Sequence, residues 1–256
     1  MEHDAYKPAE IAQLIENAGV AKARMGFGQM VTLAMLAGAF IGFGGAFYLM
    51  TMTGADAGFG PQRVLGGLVF SMGLILCIVG GAELFTGNAL MVMAAVDRKI
   101  KLSELLRNWG TVYLGNLMGA VGLAVAFGFT GMLDAPFGET AVKVATAKLA
   151  LPPVAAFAKG ALCNALVCLA VWLTFSSRDT TGKILAILWP ITGFVTLGLE
   201  HSVANMFLFP LAYLAGGEVP AGQAILSLLW VTLGNVVGGA GGVALAYRYA
   251  YLGGKR

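Results

Sequence analysis

Six long apolar stretches, separated by short polar ones, organise the chain. They run over residues 26–52, 64–96, 102–132, 152–175, 184–213 and 223–251. A helix crosses a bilayer in about 20 apolar residues, so the pattern predicts an all-α membrane protein with six transmembrane helices. The second and fifth stretches, 33 and 30 residues long, exceed one straight crossing and are expected to tilt or break. Before the first stretch, Ile11, Leu14, Ile15 and Ala18 recur at helical spacing and Lys22 and Arg24 follow. This predicts an amphipathic helix over residues 8–24, lying on the membrane surface or solvated.

Composition narrows the class. The chain has 256 residues, 58% hydrophobic and 11% charged, against about 25% charged in soluble domains. That is too little charge to coat a water-facing surface, which excludes soluble enzymes, nucleic-acid binders and disordered regions. Glycine is abundant, 37 residues, and in apolar helices it permits close approach and breaks. Cys77, Cys163 and Cys168 lie in apolar runs without metal-ligand spacing and read as small hydrophobes. No metal and no cofactor are expected. The first 25 residues are polar, so no cleavable signal peptide is expected.

Loop charge gives an orientation. Lys7, Lys22, Arg24, Arg98, Lys99, Lys101, Arg107, Arg178, Lys183, Arg248, Lys255 and Arg256 fall on one side, and Arg63, Lys143 and Lys148 on the other. The positive-inside rule puts both termini in the cytoplasm. Residues 1–25 then form a cytoplasmic N-terminal helix and 26–132 a first three-helix repeat. Residues 133–151 form a periplasmic connection, 152–251 a second repeat and 252–256 a cytoplasmic tail.

The halves are related. Gly81-Ala82-Glu83-Leu84-Phe85-Thr86-Gly87-Asn88 and Gly198-Leu199-Glu200-His201-Ser202-Val203-Ala204-Asn205 both read G-x-E-x-x-x-x-N, 117 positions apart. Val112 to Gly119 and Val231 to Gly238 both read V-x-L-G-N-x-x-G, 119 positions apart. Three crossings per half invert the second half, and such folds bind substrate where helices break near the midplane. The G-x-E segments are polar inside the two overlong stretches. Each is therefore expected to be a break, its half-helix end favouring an anion.

Glu83, Lys159, Glu200 and His201 are the ionisable groups within or near the apolar core, where such groups are functional suspects. The glutamates suit capping of the breaks better than acid catalysis. His201 is a hydrogen-bonded core residue or, beside a break, a pore residue able to change charge near neutral pH; the other histidine, His3, is in the tail. Lys159 either snorkels or attracts an anion, and Lys148 either sits in solvent or draws anions into an outer vestibule. Asn88, Asn116, Asn164, Asn205 and Asn235 suit holding broken segments together.

Other readings are weighed on the same residues. An aquaporin-type neutral-solute channel also has six crossings in inverted repeats, but its paired N-P-A turns are missing here. An intramembrane serine hydrolase needs a serine near a histidine on another helix; Ser202 adjoins His201 and Ser71 lacks a G-x-S-x-G setting. A haem carrier wants two axial ligands.

Several segments resemble the formate/nitrite transporter family of bacterial anion channels: Gly73 to Cys77, Ala82 to Thr86, Lys159 to Asn164, Glu200 to Met206 and Gly234-Asn235. The resemblance runs over about residues 26–251. It implies an aquaporin-like protomer in a homopentamer of the bacterial inner membrane, each protomer with its own pore for formate, nitrite or a similar monovalent anion. It implies a cytoplasmic constriction of Leu84, Phe85 and Val167 and a periplasmic one of Phe70, Leu74 and Phe194. It implies a central site of His201, Thr86 and Asn235, with Lys148, Lys159, Glu200, Asn164 and Asn205 attracting anions and forming a polar network. Formate is the first expectation, passing with a proton. Gly87-Asn88 after Thr86 is a variable point that leaves the choice between formate and nitrite open.

Overall fold

The computed structural model describes residues 5–55, 57–134 and 136–253; His3, Lys255 and Arg256 lie outside the described residues. The described chain is helical. It runs α1 (Pro8–Ala23), α2 (Phe27–Met52), α3 (Phe59–Val79), α4 (Gly87–Val96), α5 (Leu102–Gly128), α6 (Pro136–Leu149), α7 (Pro153–Thr174), α8 (Thr180–Thr196), α9 (Ser202–Leu214) and α10 (Ala221–Leu252). By length and composition α2, α3, α5, α7 and α10 can each cross a membrane. The fifth crossing is divided between α8 and α9.

Both overlong stretches break where expected. After α3 the chain turns at Gly81, and after α8 at Gly198, both with positive φ (81° and 65°). A side chain at such φ costs about 1–2 kcal/mol, which is why glycine stands at both. The turns close alike. The Ala82 N–H reaches Cys77 O at 2.7 Å and the Leu199 N–H reaches Phe194 O at 3.0 Å, so carbonyls orphaned at each helix end are satisfied.

Close helix contact fixes the repeat. A Cβ at Gly119 would stand 1.8 Å from Met35 O on α2, and one at Gly238 1.9 Å from Ala161 O on α7. So α5 lies on α2, and α10 on α7, with backbones nearly touching. The half-helices cross over between repeats. α9 packs on α5 and α2 of the first half, and α4 packs on α10 and α7 of the second. Neither repeat is therefore complete alone.

Some features depart from the sequence reading. Segment 133–151 contains the helix α6, which rests on α9. α1 is seated on protein: Ile11, Ala12 and Ile15 are buried with Ala89, Leu90 and Met93 of α4. The second crossing starts earlier, at Phe59, and the third ends earlier, at Gly128. Within α10, residues Val237–Leu245 wind as a π-helix, whose Gly239 leaves room for the Asn164 amide and Cys168.

Candidate functional site: the path between the two breaks

The first break brings a carboxylate, a constriction residue and a hydroxyl into line: Glu83, Leu84 and Thr86. The second brings Glu200 and His201. Neither loop could hold this shape unaided, because its freed backbone groups are buried. Two asparagines satisfy them. The Asn116 amide donates to Ala34 O (2.8 Å) and Glu83 O (2.9 Å), and its oxygen accepts from the Phe85 N–H (2.9 Å). Asn235 donates to Gly160 O (2.8 Å) and Glu200 O (3.0 Å), and accepts from the Ser202 N–H (2.9 Å).

Each glutamate is held by a lysine from a surface helix and an asparagine five positions on. Lys148 of α6 reaches both Glu200 oxygens at 2.9 and 3.0 Å, and Asn205 donates at 2.8 Å. Lys22 of α1 pairs with Glu83, and Asn88 donates to it at 2.8 Å. These carboxylates are structural anchors, with their negative charge offset.

At the centre His201 Nε2 lies 2.8 Å from Thr86 Oγ1, across the two breaks. Nδ1 accepts the Ala204 N–H at 3.2 Å and caps α9. A backbone N–H can only donate, so Nδ1 carries a lone pair, the ring is neutral and its proton sits on Nε2. Thr86 Oγ1 accepts it, which leaves the hydroxyl proton for another acceptor. The Thr86 carbonyl is fixed by Asn164 (3.2 Å), which also donates to Asn235 O (2.7 Å), and by the Cys168 thiol (3.4 Å).

Three cavities mark a path past this pair. An outer one of about 200 Å³ is lined by Lys148, Lys159, Arg63, Phe70, Phe194 and His201, among others. A central one of about 10 Å³ is lined by Ile41, Phe70, Leu74, Leu84, Val167, Ile191, Phe194 and His201. An inner one of about 560 Å³ is lined by Lys22, Leu74, Leu84, Arg178 and Lys183, among others. Phe70 and Phe194, edge to face at 5.6 Å, separate outer from central. Leu74 and Leu84 separate central from inner, so Leu74 serves the inner constriction as well as facing Phe70 and Phe194.

The structure thus gathers most of the residues singled out from sequence, with two placed differently. Phe85 lines none of these cavities; its ring packs on Trp109 and Tyr113 at 6.1 and 5.0 Å. Asn235 is a backbone staple behind the path. Ile41, Ile191, Arg63 and the role of Lys22 were not singled out. Lys22 and Lys148 are 126 positions apart, a different offset from the motifs, which hides their equivalence. Among the described residues no group of three His, Cys, Asp or Glu side chains could hold a metal.

An inverted pair of repeats with broken helices around an apolar-gated path defines a multi-pass membrane channel or transporter. The chain belongs to the formate/nitrite transporter family, whose pattern it matches over residues 9–249; its members are channels and transporters, not enzymes. It is 41% identical over 249 residues to the uncharacterized transporter YrhG of Bacillus subtilis (strain 168), covering 96% of this chain and 93% of that one. It is 37% identical over 209 residues to the formate channel FocA of Haemophilus influenzae, covering 73% and 74%. A solved pentameric formate channel with formate bound superposes with a TM-score of 0.81 at 38% identity, covering 88% of this chain and 98% of that one.

Proposed function

We infer that this chain forms a pH-dependent channel for the small monovalent anions of weak acids, formate first and nitrite or hydrosulfide as the alternative. It works as a homopentamer in the bacterial cytoplasmic membrane, each protomer with its own path. The α1 face, with Lys22, Arg178 and Lys183 around the inner cavity, looks to the cytoplasm. The observation that carries the reading is His201, bonded to Thr86 and lining the central cavity between the Phe70–Phe194 and Leu74–Leu84 constrictions. A solved relative with formate bound supports formate as the first choice.

A bare anion in an apolar ring carries a Born cost of order tens of kcal/mol in the dry limit. The neutral acid crosses far more cheaply. Lys159 and the α9 N-terminus draw the anion to the outer vestibule, beside the Lys148–Glu200 pair. At the Phe70–Phe194 ring it meets His201, which lines both the outer and the central cavity; the Nε2–H turns from Thr86 Oγ1 to the anion, and the Thr86 hydroxyl donates beside it. When a proton from solution enters the ring at Nδ1, the Nε2 proton passes to the anion, the ring is left neutral with its proton on Nδ1, and the neutral acid crosses the apolar rings and is released. A second proton can enter the His201 ring only at Nδ1, which must then give up the Ala204 N–H. Charging the ring is thereby linked to loosening the first turn of α9.

The test is flux into proteoliposomes at about pH 5 and about pH 7.5, with formate, nitrite, hydrosulfide and glycerol. Formate or nitrite uptake should rise with acidity, and His201→Phe should flatten that dependence. Unchanged pH dependence in this variant, or glycerol flux without anion flux, would overturn the reading.

A further inference from the structure

The outer vestibule contains more positive charge than its anchors use. Lys148 and Glu200 offset each other. Arg63 and Lys159 line the same cavity, and among the described residues neither has a carboxylate within ion-pair distance. Arg63 is nonetheless held in place. Its guanidinium carbon lies over the Phe59 ring, 4.9 Å from the centroid, and its carbonyl accepts from Thr196 Oγ1 at 3.3 Å. On its other flank is the break itself: a Cβ on Gly198 would come 2.8 Å from Nη2. The glycine that the turn needs for its φ also makes room for the guanidinium.

The ring contact engages the charge of the guanidinium and leaves its five N–H donors. Those donors form a planar fork matched to two oxygens on one centre, a geometry that an ammonium lacks. Formate and nitrite are both bent, two-oxygen monoanions; hydrosulfide offers a single acceptor atom. We propose that Arg63, backed by Lys159, is a capture site for bent two-oxygen monoanions at the outer mouth. It binds them by both oxygens before they reach Phe70 and Phe194, and it separates them from single-atom acceptors. This rests on the channel reading above and adds to it where the anion is first recognised.

The test measures initial uptake against concentration in right-side-out membrane vesicles for wild type, Arg63→Lys, Arg63→Gln and Phe59→Leu. Arg63→Lys keeps the charge and loses the fork. Its half-saturating concentration for formate and nitrite should rise about fivefold, with the maximal rate and hydrosulfide uptake unchanged. Arg63→Gln should weaken all three anions and reduce the dependence on ionic strength. Phe59→Leu should give a smaller rise for formate and nitrite and none for hydrosulfide, and with Arg63→Lys it decides the matter if Arg63→Gln does not reach the membrane. Formate half-saturation within about twofold of wild type in Arg63→Lys, or an equal loss for hydrosulfide, overturns the capture site. Wild-type vesicles without saturable formate or nitrite uptake would overturn the channel reading and the capture site together. Saturable wild-type uptake indifferent to Arg63 removes the capture site alone.

Discussion

Asn116 and Asn235 make the same three hydrogen bonds on opposite arms of the inverted repeat. Each ties its broken crossing to the preceding helix of its own half, and each is fully buried. Replacing either by alanine strands one loop carbonyl and one N–H away from water and strips a second bond from a helix carbonyl. Each variant should lose about 3 kcal/mol of stability. Thermal unfolding of the purified protein in detergent checks this. Similar drops are expected for the two variants, since their environments match bond for bond.

Gly119 and Gly238 set the distance between paired helices. Alanine at either would force a methyl into a carbonyl oxygen less than 2 Å away, so the helices must separate and the asparagine bonds beside them stretch. Overpacking of this kind costs about 1–3 kcal/mol or more, and both variants should show lower melting temperatures and poorer recovery of assembled protein. Gly122 in the same helix α5 has open space where its Cβ would go. Gly122→Ala should be neutral, or stabilising by up to about 1 kcal/mol.

The Asp97–Arg248 pair joins the loop after α4 to the end of α10. Partial burial works to raise the Asp97 carboxyl, but the Arg248 hydrogen bonds outweigh it, with help from Glu16 and Lys99, and hold it below the usual aspartate value. A depressed carboxyl stabilises the fold above its unfolded value and loses that contribution as the pH falls through the folded one. The melting temperature of wild type should therefore exceed that of Asp97→Asn at neutral pH. The gap should close only below the ordinary aspartate value of 3.8. A gap that widens on acidification would contradict the pairing.

The repeat was legible in the sequence because both halves spend the same residue types on the same problem. A break inside a bilayer needs a glycine for the turn, a carboxylate for the anchor and an asparagine for the loose amides, and these stand out among apolar neighbours. α6 was not legible: its alternation of alanine, valine and lysine is too short and too mildly apolar to separate from a connecting loop. The π-helical stretch of α10 looks like any glycine-rich crossing, because its widened turns answer to Asn164 and Cys168 on a different helix. Phe85 shows the limit most clearly. Its neighbour Leu84 lines the path and Thr86 Oγ1 meets His201, while its own ring turns away to Trp109 and Tyr113. The direction of one side chain in a loop depends on packing that no local pattern records.

The central space of about 10 Å³ is about enough for one water molecule. No solute can be stored there in this conformation. Its occupancy and the displacement of Phe70, Phe194, Leu74 or Leu84 are then one event, and under the proposed function the traveller supplies the work of opening through its contacts with His201 and Thr86. Leakage is prevented by missing volume rather than by an opposing charge, so raising the salt concentration would not make the resting protein leak.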